Sequence, residues 1–480
     1  MRTHLLFPCA VALSLTNALQ AQPPTHQGVV YNQTGSTASV VNGVAVDADG
    51  NMVITGWRSD PLDLGGTAHS DGTGAIFLAK FNAQGTELWS KVSGSADQQG
   101  NHKGMGVAVD ANGNIYNCGW VFGQEQATFD GTTLPLGTFG YVAKYSAGGT
   151  LLWVKDFAGG VNAIAVDGNG VPFVNLGDAT IEKLDPATGN SVASATGGGD
   201  LQNVLYHNIV VHNGYVFAQW GNKITKYTMD LTPVWSTPLT KPFGAESYRI
   251  TVDGAGNVWA TFYALFGTVS LGGTDYTSFP AGYIYNLSGG NGDVLGCTSP
   301  GAFKFKKVFN TDSGAWLVQG DFAFNQPNVV KYDGGQTAVW SAPTFDAKDI
   351  DMIGPDCFVL GGQHSADITL NGITYPRPNG SGQENAMAAF LCAGTVGVPE
   401  TAVAPGATLA PNPASNTLRV HFSGNTLPGT LRLITLDGRT ALVQGIGGRT
   451  TVQLAIDHLP PGIYLLRADN GTLLGRFVKE

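Results

Sequence analysis

Aromatic side chains recur at corresponding points of a repeated pattern: Trp57, Trp120, Trp220 and Tyr263. Flat rings of this kind can stack on a sugar or peptide face. Arg58 follows the first ring, and its guanidinium could bind a carboxylate. The sequence therefore predicts a binding surface formed by Trp57, Arg58, Trp120, Trp220 and Tyr263. The alternative is that the rings pack against their own loops or the next repeat.

Catalytic and metal-binding motifs are missing from the sequence. It holds no Gly-x-Ser-x-Gly, no P-loop, no His-Glu-x-x-His and no Cys-x-x-Cys. The segment Asp47-Ala-Asp-Gly-Asn51 begins like a calcium loop, but a strand follows where the distal ligands would have to lie. His69, His102, His207 and His364 follow no metal-ligand spacing. We therefore predict no catalytic residue, no metal and no cofactor.

A repeated strand pattern must position these residues. Its first line reads Val-Ala-Val-Asp-x-x-Gly-Asn and has seven copies, strong or weak, which begin near residues 44, 107, 164, 209, 250, 308 and 350. A second line, such as Phe77-Leu-Ala-Lys-Phe81, follows each copy, and a Trp-containing line, such as Glu87-Leu-Trp-Ser90, often ends the unit. Strand patterning with a period of about 40 to 60 residues is typical of a propeller blade.

We therefore predict an all-β chain with a seven-bladed β-propeller over residues 22–393. The seventh unit stops after Cys392 without a Trp strand. The segment Gly28-Val-Val-Tyr-Asn-Gln-Thr-Gly35 resembles that missing strand, so we expect the N-terminal strand to close the ring. These repeats resemble the bacterial SBBP-type propeller repeats over residues 28–392.

Loop lengths predict which face of the propeller is used. Turns such as Ala48-Asp-Gly-Asn51 are tight, whereas the connections from Trp57 to Gly74 and from Trp120 to Gly140 are long. The long connections all fall on one face, and binding residues usually lie on such loops. Arg58, Arg249 and Arg377 map to the same face.

Two cysteines are predicted to meet in the last blade. Cys357 begins its second strand and Cys392 ends its third, so antiparallel pairing places them side by side. A disulfide Cys357–Cys392 is one expectation, and two buried free thiols are the other. Cys118 and Cys297 belong to distant blades and should be unpaired.

Charge excludes one class of partner. Residues 409–480 carry seven Lys/Arg and four Asp/Glu, whereas the rest of the chain carries 18 and 31. An acidic main body without a basic stripe argues against nucleic acid.

The two ends of the chain indicate export. Residues 1–21 have the layout of a secretory signal peptide, and no later segment is apolar for long enough to span a membrane. Residues 394–408 look like a linker. Residues 409–480 alternate apolar and polar residues, as in Thr417-Leu-Arg-Val-His-Phe422, which predicts a small β-sandwich.

Three landmarks of this tail are Leu409-Ala-Pro-Asn-Pro413, Leu431-Arg-Leu-Ile-Thr-Leu-Asp-Gly-Arg439 and Leu459-Pro-Pro-Gly-Ile-Tyr464. The tail resembles the C-terminal sorting domain (type A) of cargo for the type IX secretion system of Bacteroidetes-type bacteria. The resemblance implies recognition by that secretion machinery and export across the outer membrane to the cell surface or the medium.

The sequence thus favours an exported, non-catalytic binding module for a glycan or a protein. An extracellular polymer-degrading hydrolase or lyase, with its site on the long-loop side, is the alternative.

Overall fold

The computed structural model describes residues 24–33, 38–59, 61–70, 75–95, 102–122, 125–197, 208–220, 222–240, 246–264, 267–278, 281–298, 304–310, 316–323, 326–332, 338–354, 357–376, 384–392, 407–422, 429–435, 440–468 and 473–479. The predicted signal peptide (1–21) and most of the predicted linker (394–408) lie outside these residues, as do Arg377 and His207. Contacts divide the chain into two units, Met1–Gly394 and Thr395–Glu480. Among the described residues no helix is long and apolar enough to cross a membrane.

Strands form the first unit. In chain order they are β1 (Thr25–Tyr31), β2 (Ser39–Val46), β3 (Met52–Arg58), β4 (Ile76–Phe81), β5 (Glu87–Ser93), β6 (Lys103–Val109), β7 (Ile115–Trp120), β8 (Thr128–Phe129), β9 (Thr132–Thr133), β10 (Gly140–Tyr145), β11 (Leu151–Phe157), β12 (Val161–Val166), β13 (Pro172–Leu176), β14 (Thr180–Leu184), β15 (Ser191–Thr196), β16 (Asn208–His212) and β17 (Tyr215–Gln219).

The remaining strands of this unit are β18 (Lys223–Thr228), β19 (Pro233–Thr240), β20 (Glu246–Val252), β21 (Val258–Ala264), β22 (Gly267–Leu271), β23 (Thr274–Ser278), β24 (Ala281–Leu287), β25 (Val294–Thr298), β26 (Lys304–Asn310), β27 (Trp316–Ala323), β28 (Gln326–Tyr332), β29 (Ala338–Pro343), β30 (Asp346–Gly354), β31 (Cys357–His364), β32 (Ile368–Leu370), β33 (Ile373–Tyr375) and β34 (Asn385–Cys392).

These strands form seven antiparallel sheets of four blade strands within the described residues. Blades 1 to 6 have the orders β2-β3-β4-β5, β6-β7-β10-β11, β12-β13-β14-β15, β16-β17-β18-β19, β20-β21-β24-β25 and β26-β27-β28-β29, and blade 7 has the order β30-β31-β34-β1. The hairpin β22-β23 extends the sheet of blade 4. The innermost strands contact one another in succession, and β30 contacts β2, so the ring is closed. The predicted all-β propeller class is confirmed.

The first strand of the chain supplies the outer strand of the last blade. Thr25 lies opposite Cys392 and Tyr31 lies opposite Met387 in the β1–β34 pair. Apolar residues of blade 1, such as Met52 and Phe77, share one buried cluster with Val359 and Phe390 of blade 7. Burial between successive sheets therefore supplies the core of the ring.

Each blade divides its connections between two faces of the ring. The first-to-second and third-to-fourth strand turns, such as residues 47–51 and 82–86, form what we call the short-turn face. The second-to-third strand loops and the connections between blades, such as 121–139 and 94–102, form the long-loop face.

A β-bulge recurs in the innermost strand of six blades, close to the long-loop face. The register shifts between Val41 and Gly43, Gly104 and Gly106, Val161 and Ala163, Ser247 and Ile250, Phe305 and Lys307, and Ala347 and Asp349. A bulge re-aims the extra residue out of the ladder. The extra residues include Asn42, Met105, Asn162 and Lys348. Two of these side chains join neighbouring blades, since Asn42 donates to Gly104 O and Asn162 accepts from Trp120 Nε1.

The second unit is a small β-sandwich. Its strands are β35 (Ala407–Ala410), β36 (Thr417–Phe422), β37 (Thr430–Thr435), β38 (Thr440–Gly445), β39 (Thr451–Ala455), β40 (Gly462–Ala468) and β41 (Leu473–Lys479). The sheets β35-β36-β39 and β38-β37-β40-β41 enclose one core that includes Leu418, Leu433, Leu466 and Phe477.

Candidate functional site

The repeated aspartates of the short-turn face stabilise turns. Asp47 Oδ1 accepts hydrogen bonds from Asp49 N (2.9 Å) and Asn51 N (2.8 Å), and Oδ2 accepts from Asn51 Nδ2 (2.9 Å) and Lys80 Nζ (2.8 Å). Burial opposes ionisation of Asp47, but the bonds from Lys80 and Asn51 prevail and hold the carboxyl pKa below its usual value. Asp110 and Asp167 make the same turn contacts. The described residues hold no group of three metal-ligating side chains.

The repeated Lys and Trp of the short-turn face join neighbouring blades. Lys80 Nζ (3.4 Å) and Trp89 Nε1 (3.1 Å) both donate to Ala147 O in the third-to-fourth strand turn of blade 2. Lys144 and Trp153 donate in the same way to Pro186 O of blade 3. Lys226 and Trp235 donate to Gly289 O of blade 5. We call this arrangement the Lys–Trp clasp.

A glycine completes each clasp. Gly149, Gly189 and Gly292 have positive φ angles of 82°, 73° and 77°, and a Cβ there would lie 2.6–2.8 Å from the clasp tryptophan. The tryptophan rings can therefore lie flat against the next turn only because these positions have no side chain.

Charged residues meet at the central channel. Arg249 of β20 pairs with Asp349 of β30 and donates from Nη2 to Asn42 O of β2 at 3.3 Å. Lys307 of β26 lies 3.4 Å from the same Asp349 oxygen. Residues from blades 1, 5, 6 and 7 thus converge, and Arg249 joins blade 5 to blades 7 and 1.

The carboxyl pKa values of the two acids in this cluster, Asp349 and Asp351, are shifted in opposite directions. Burial opposes ionisation of Asp349, but the charges of Arg249 and Lys307 outweigh it, and the pKa falls below its usual value. Burial prevails at Asp351 and raises its pKa. Asp349 accepts from Val44 N (3.1 Å) and Asp351 from Val46 N (3.2 Å), so both carboxyls tie β30 to β2. The carboxylates of Asp349 and Asp351 therefore accept hydrogen bonds at the contact between blades 7 and 1 that closes the ring.

Three of the five sequence-predicted binding residues offer little or no surface. Trp220 is 0% exposed, Arg58 is 1% exposed and Tyr263 is 9% exposed. Arg58 instead donates from Nη1 to His69 O at 2.9 Å and holds the loop that follows β3. The prediction of a four-membered aromatic ring on the surface is therefore corrected to two neighbouring tryptophans, Trp57 and Trp120.

The strand register explains why Trp220 is buried. Phe81, Tyr145 and Tyr227 are equivalent residues of their blades, and their partners in the second strand are Met52, Ile115 and Val216. Trp57 and Trp120 come five residues after that partner, whereas Trp220 comes only four residues after it. Side chains alternate between the faces of a sheet, so a difference of one residue turns the ring to the other side. Trp220 packs in the buried cluster that includes Phe173 and Ile181. Its ring also lies against Gly197, where an added Cβ would be 2.3 Å from the ring.

Trp120 is the most exposed tryptophan whose side chain the structure describes, at 39%. Its Nε1 donates to Asn162 Oδ1 of blade 3 at 2.8 Å, and a Cβ on Gly160 would lie 2.7 Å from its Cδ1. Trp57 is partly covered, because Lys103 Nζ lies 5.5 Å from its ring centroid. The ring of Trp120 is thus held in one orientation and remains open.

Further apolar side chains are exposed in the same loop of blade 2. Phe122 is 38%, Leu136 is 63% and Phe139 is 52% exposed. Exposed apolar clusters of this kind mark interaction surfaces. Sequence reasoning missed these residues, and it also missed Lys103, Gly160 and Asn162, because only the packing of blade 2 on its neighbours brings them to the tryptophans.

A Ser–His–Glu cluster on this face does not have the geometry of a catalytic relay. His102 Nδ1 accepts from Phe122 N at 3.2 Å, which assigns the proton to Nε2. That same Nε2 faces both Ser95 Oγ (2.8 Å) and Glu125 Oε2 (3.3 Å). In a relay the acid must bind the nitrogen opposite the one that faces the hydroxyl. The cluster therefore ties the loop 121–139 to residues near β6.

His69, His364 and the four described cysteines have structural surroundings. His69 Nε2 bonds Ser90 Oγ at 2.8 Å, and His364 Nδ1 donates to Ala366 O at 2.9 Å. Cys357 and Cys392 lie directly opposite in the β31–β34 pair and are joined as a disulfide. Cys118 and Cys297 are free. Burial raises the pKa of the Cys297 thiol to about 12 and that of Cys118 further, so neither is a nucleophile at neutral pH.

Comparison with known protein families identifies the tail. Residues 408–479 match the family described as the secretion system C-terminal sorting domain. The tail resemblance is therefore confirmed, and it indicates export by the type IX system across the outer membrane to the cell surface or the extracellular space. No curated protein matches the sequence.

Three solved structures are similar to this chain at low sequence identity. BamB from Moraxella catarrhalis has 11% identity and a TM-score of 0.45, and the match covers 76% of this chain and 99% of that one. U3-55K has 9% identity and a TM-score of 0.47, with 75% and 98% covered. KlHsv2 with loop 6CD replaced by a Gly-Ser linker has 9% identity and a TM-score of 0.42, with 68% and 92% covered.

Proposed function

We propose that this chain is an exported, non-catalytic binding module that holds a glycan or a protein on the long-loop face of its propeller. The observation that carries the proposal is Trp120, an oriented and open ring beside further exposed apolar side chains. Rigid scaffolds that present loop residues in this way are typical of binding proteins. Loss of solvent at an aromatic surface supplies the affinity.

The delivery of the module is part of the same proposal. A signal peptide over residues 1–21 would direct the chain to the periplasm, and the sorting domain would then be read by the type IX machinery. The repeats are proposed to be of the SBBP type and the source a Bacteroidetes-type bacterium. The domain limits are proposed as 22–393 for the propeller, 394–408 for the linker and 409–480 for the sorting domain.

The test is a glycan array probed with the labelled full chain and with the Trp57→Ala and Trp120→Ala variants. We expect Trp120→Ala to reduce binding by about tenfold or more, because it removes the open ring. Trp57→Ala should have a smaller effect, because Lys103 covers that ring. Binding that is unchanged in both variants would exclude the long-loop face as the site.

An extracellular hydrolase or lyase remains the second candidate, and one observation favours it. Four charged side chains converge at the channel, and the raised pKa of Asp351 is a property of a general acid. The contacts of Asp349 and Asp351 with β2 argue instead for closure of the ring. New reducing ends or unsaturated products released from a polysaccharide, and lost in Asp351→Asn, would establish the enzyme.

A further inference from the structure

Trp120 differs from the other tryptophans that lie on a glycine. Trp89, Trp153 and Trp235 lie on Gly149, Gly189 and Gly292 within the seams between blades. Trp120 lies on Gly160 of the next blade in the same way, yet 39% of it is exposed. One face of its ring is therefore supported by backbone while other parts are open to a ligand. A supported ring loses little conformational entropy when a second ring stacks on it.

A carboxamide lies at the edge of this ring. Asn162 is the extra residue of the bulge in β12, and its Oδ1 accepts the Trp120 indole N–H. No acceptor among the described residues takes a hydrogen bond from Asn162 Nδ2. A flat apolar ring beside an amide donor suits a pyranose, which has an apolar face and equatorial hydroxyl acceptors. The pair thus favours a sugar over a purely apolar group.

Lys103 supplies a positive charge beside Trp57, on the strand that pairs with the strand of Trp120. Its backbone lies directly opposite Trp120 in the β6–β7 pair, and its Nζ lies 5.5 Å from the centroid of the Trp57 ring. Lysines such as Lys80, Lys91 and Lys348 pair with a carboxylate, whereas no carboxylate of the described residues pairs with Lys103. Its ammonium group is available to an anion without first breaking an ion pair.

Two acids described near these residues have partners of their own. Glu125 is bound by Ser95 and His102. Asp178 lies in the turn of blade 3 next to Asn162 and accepts from Thr180 N at 3.0 Å. Asp178 thus adds negative charge on the blade 3 side of Asn162, so an anionic substituent is better placed on the side of Lys103.

We propose that Trp120, Asn162 and Lys103 form a subsite for an acidic glycan. A sugar ring stacks on Trp120, Asn162 Nδ2 donates to a hydroxyl, and Lys103 binds a carboxylate or sulfate of the same or the adjacent residue. This inference rests on the proposed binding function and names its ligand class.

The test compares oligosaccharides that differ only in charge. Oligogalacturonate is paired with its full methyl ester, and chondroitin sulfate with unsulfated chondroitin, and each is titrated calorimetrically into the full chain. We expect the more highly charged member of at least one pair to bind about threefold to fivefold more tightly, the upper part of the range for one exposed ion pair. Lys103→Gln should abolish that difference. Trp120→Ala and Gly160→Ala should weaken both members by about tenfold or more.

Lys183→Gln is the matched control. Lys183 also lies near the end of a strand and is partly exposed, but its partner is Asp230 at 2.9 Å, at the short-turn side of blades 3 and 4. This variant should leave every affinity unchanged.

The outcomes separate the inference from the proposed function. Equal binding of the two members of each pair, with no effect of Lys103→Gln, would overturn the acidic ligand and leave a glycan-binding face. A protein that binds through Trp120 while all oligosaccharides fail would overturn the glycan subsite only. Oligosaccharide binding that does not change in Trp120→Ala or Gly160→Ala would overturn both.

Discussion

The two faces of the propeller use the same residue types for different purposes. On the short-turn face, Trp153 lies against Gly189 and donates to Pro186 O together with Lys144. On the long-loop face, Trp120 lies against Gly160 and donates to Asn162, but no lysine or further turn among the described residues is bonded to it. A tryptophan that packs on a glycine thus joins two blades on the short-turn face, whereas on the long-loop face its ring stays exposed to solvent. The difference lies in what covers the ring.

Four predictions test this division, in which the short-turn face supplies stability and the long-loop face supplies binding. The first concerns blade 7, which has no third-to-fourth strand turn because its fourth strand comes from the N-terminus. There the disulfide Cys357–Cys392 lies on the short-turn face, beside β1. Replacing both cysteines with serine should lower the free energy of unfolding by about 4 kcal/mol in the loop-entropy description. Urea unfolding measures the loss.

Reductant should bring the wild-type chain to the stability of this double variant and leave the variant unchanged. An intact mass that does not gain two hydrogen atoms on reduction would show that the bond is not formed.

The second prediction compares two truncations of the same residue. Trp153→Ala should destabilise the propeller by about 3 kcal/mol, the usual cost of removing a large packed aromatic side chain. Trp120→Ala should cost less than about 1 kcal/mol, since an exposed side chain contributes little. Urea unfolding of both variants gives the values. Equal losses in the two variants would contradict the division of roles between the faces.

The third prediction is a pH dependence of the closing strand. His26 of β1 is 8% exposed, and burial lowers its pKa from 6.5 to about 4 against the opposing hydrogen bond with Asn371. Well above pH 6.5 the imidazole is neutral in both the folded and the unfolded state, so it has no effect on stability. As pH falls from 6.5 towards 4, the unfolded chain binds the proton first, so stability decreases, by about 2 kcal/mol at pH 5.

The His26→Gln variant separates this term from other titrating groups. Its free energy of unfolding should fall less between pH 7 and pH 5 than that of the wild type. Parallel pH profiles for the two proteins would show that His26 is not the group responsible.

The fourth prediction concerns replacement of each of the two supporting glycines, Gly189 and Gly160, by alanine. Gly189→Ala should destabilise by about 1–2 kcal/mol, because φ there is +73° and the new Cβ would contact Trp153. Gly160→Ala should change stability by less than about 0.5 kcal/mol, since Trp120 can move into solvent, while ligand binding is lost. Urea unfolding and calorimetric titration of each variant provide the two measurements. A large loss of stability in Gly160→Ala would show that Trp120 is a structural joint as well.

Much of the fold was predictable because it depends on periodic patterns. The Val-Ala-Val-Asp line and the Ala-Lys line predicted strands, and those strands are β2 and β4 in blade 1 and their equivalents elsewhere. The tail was predictable from its landmarks, and its family match covers residues 408–479. Local hydrogen bonding explains this success, since a turn such as Asp47–Asn51 is stabilised by its own residues.

The candidate site was predictable only in part. Trp57 and Trp120 were found because they end equivalent strands, and Trp220 was misplaced because one residue of register separates the two faces of a sheet. Arg58 was misplaced because the loop after β3 folds back and accepts its guanidinium at His69 O.

The sequence by itself determined the strand order, the tight turns and the exported tail, because these follow from short-range alternation and turn chemistry. Only the tertiary structure decided which aromatic rings are open. Asn162 and Gly160 are 42 and 40 residues from Trp120 along the chain, and they meet it only when blade 3 packs on blade 2. The exposure of an aromatic ring depends on how the neighbouring blade packs against it, and no local sequence pattern specifies that packing.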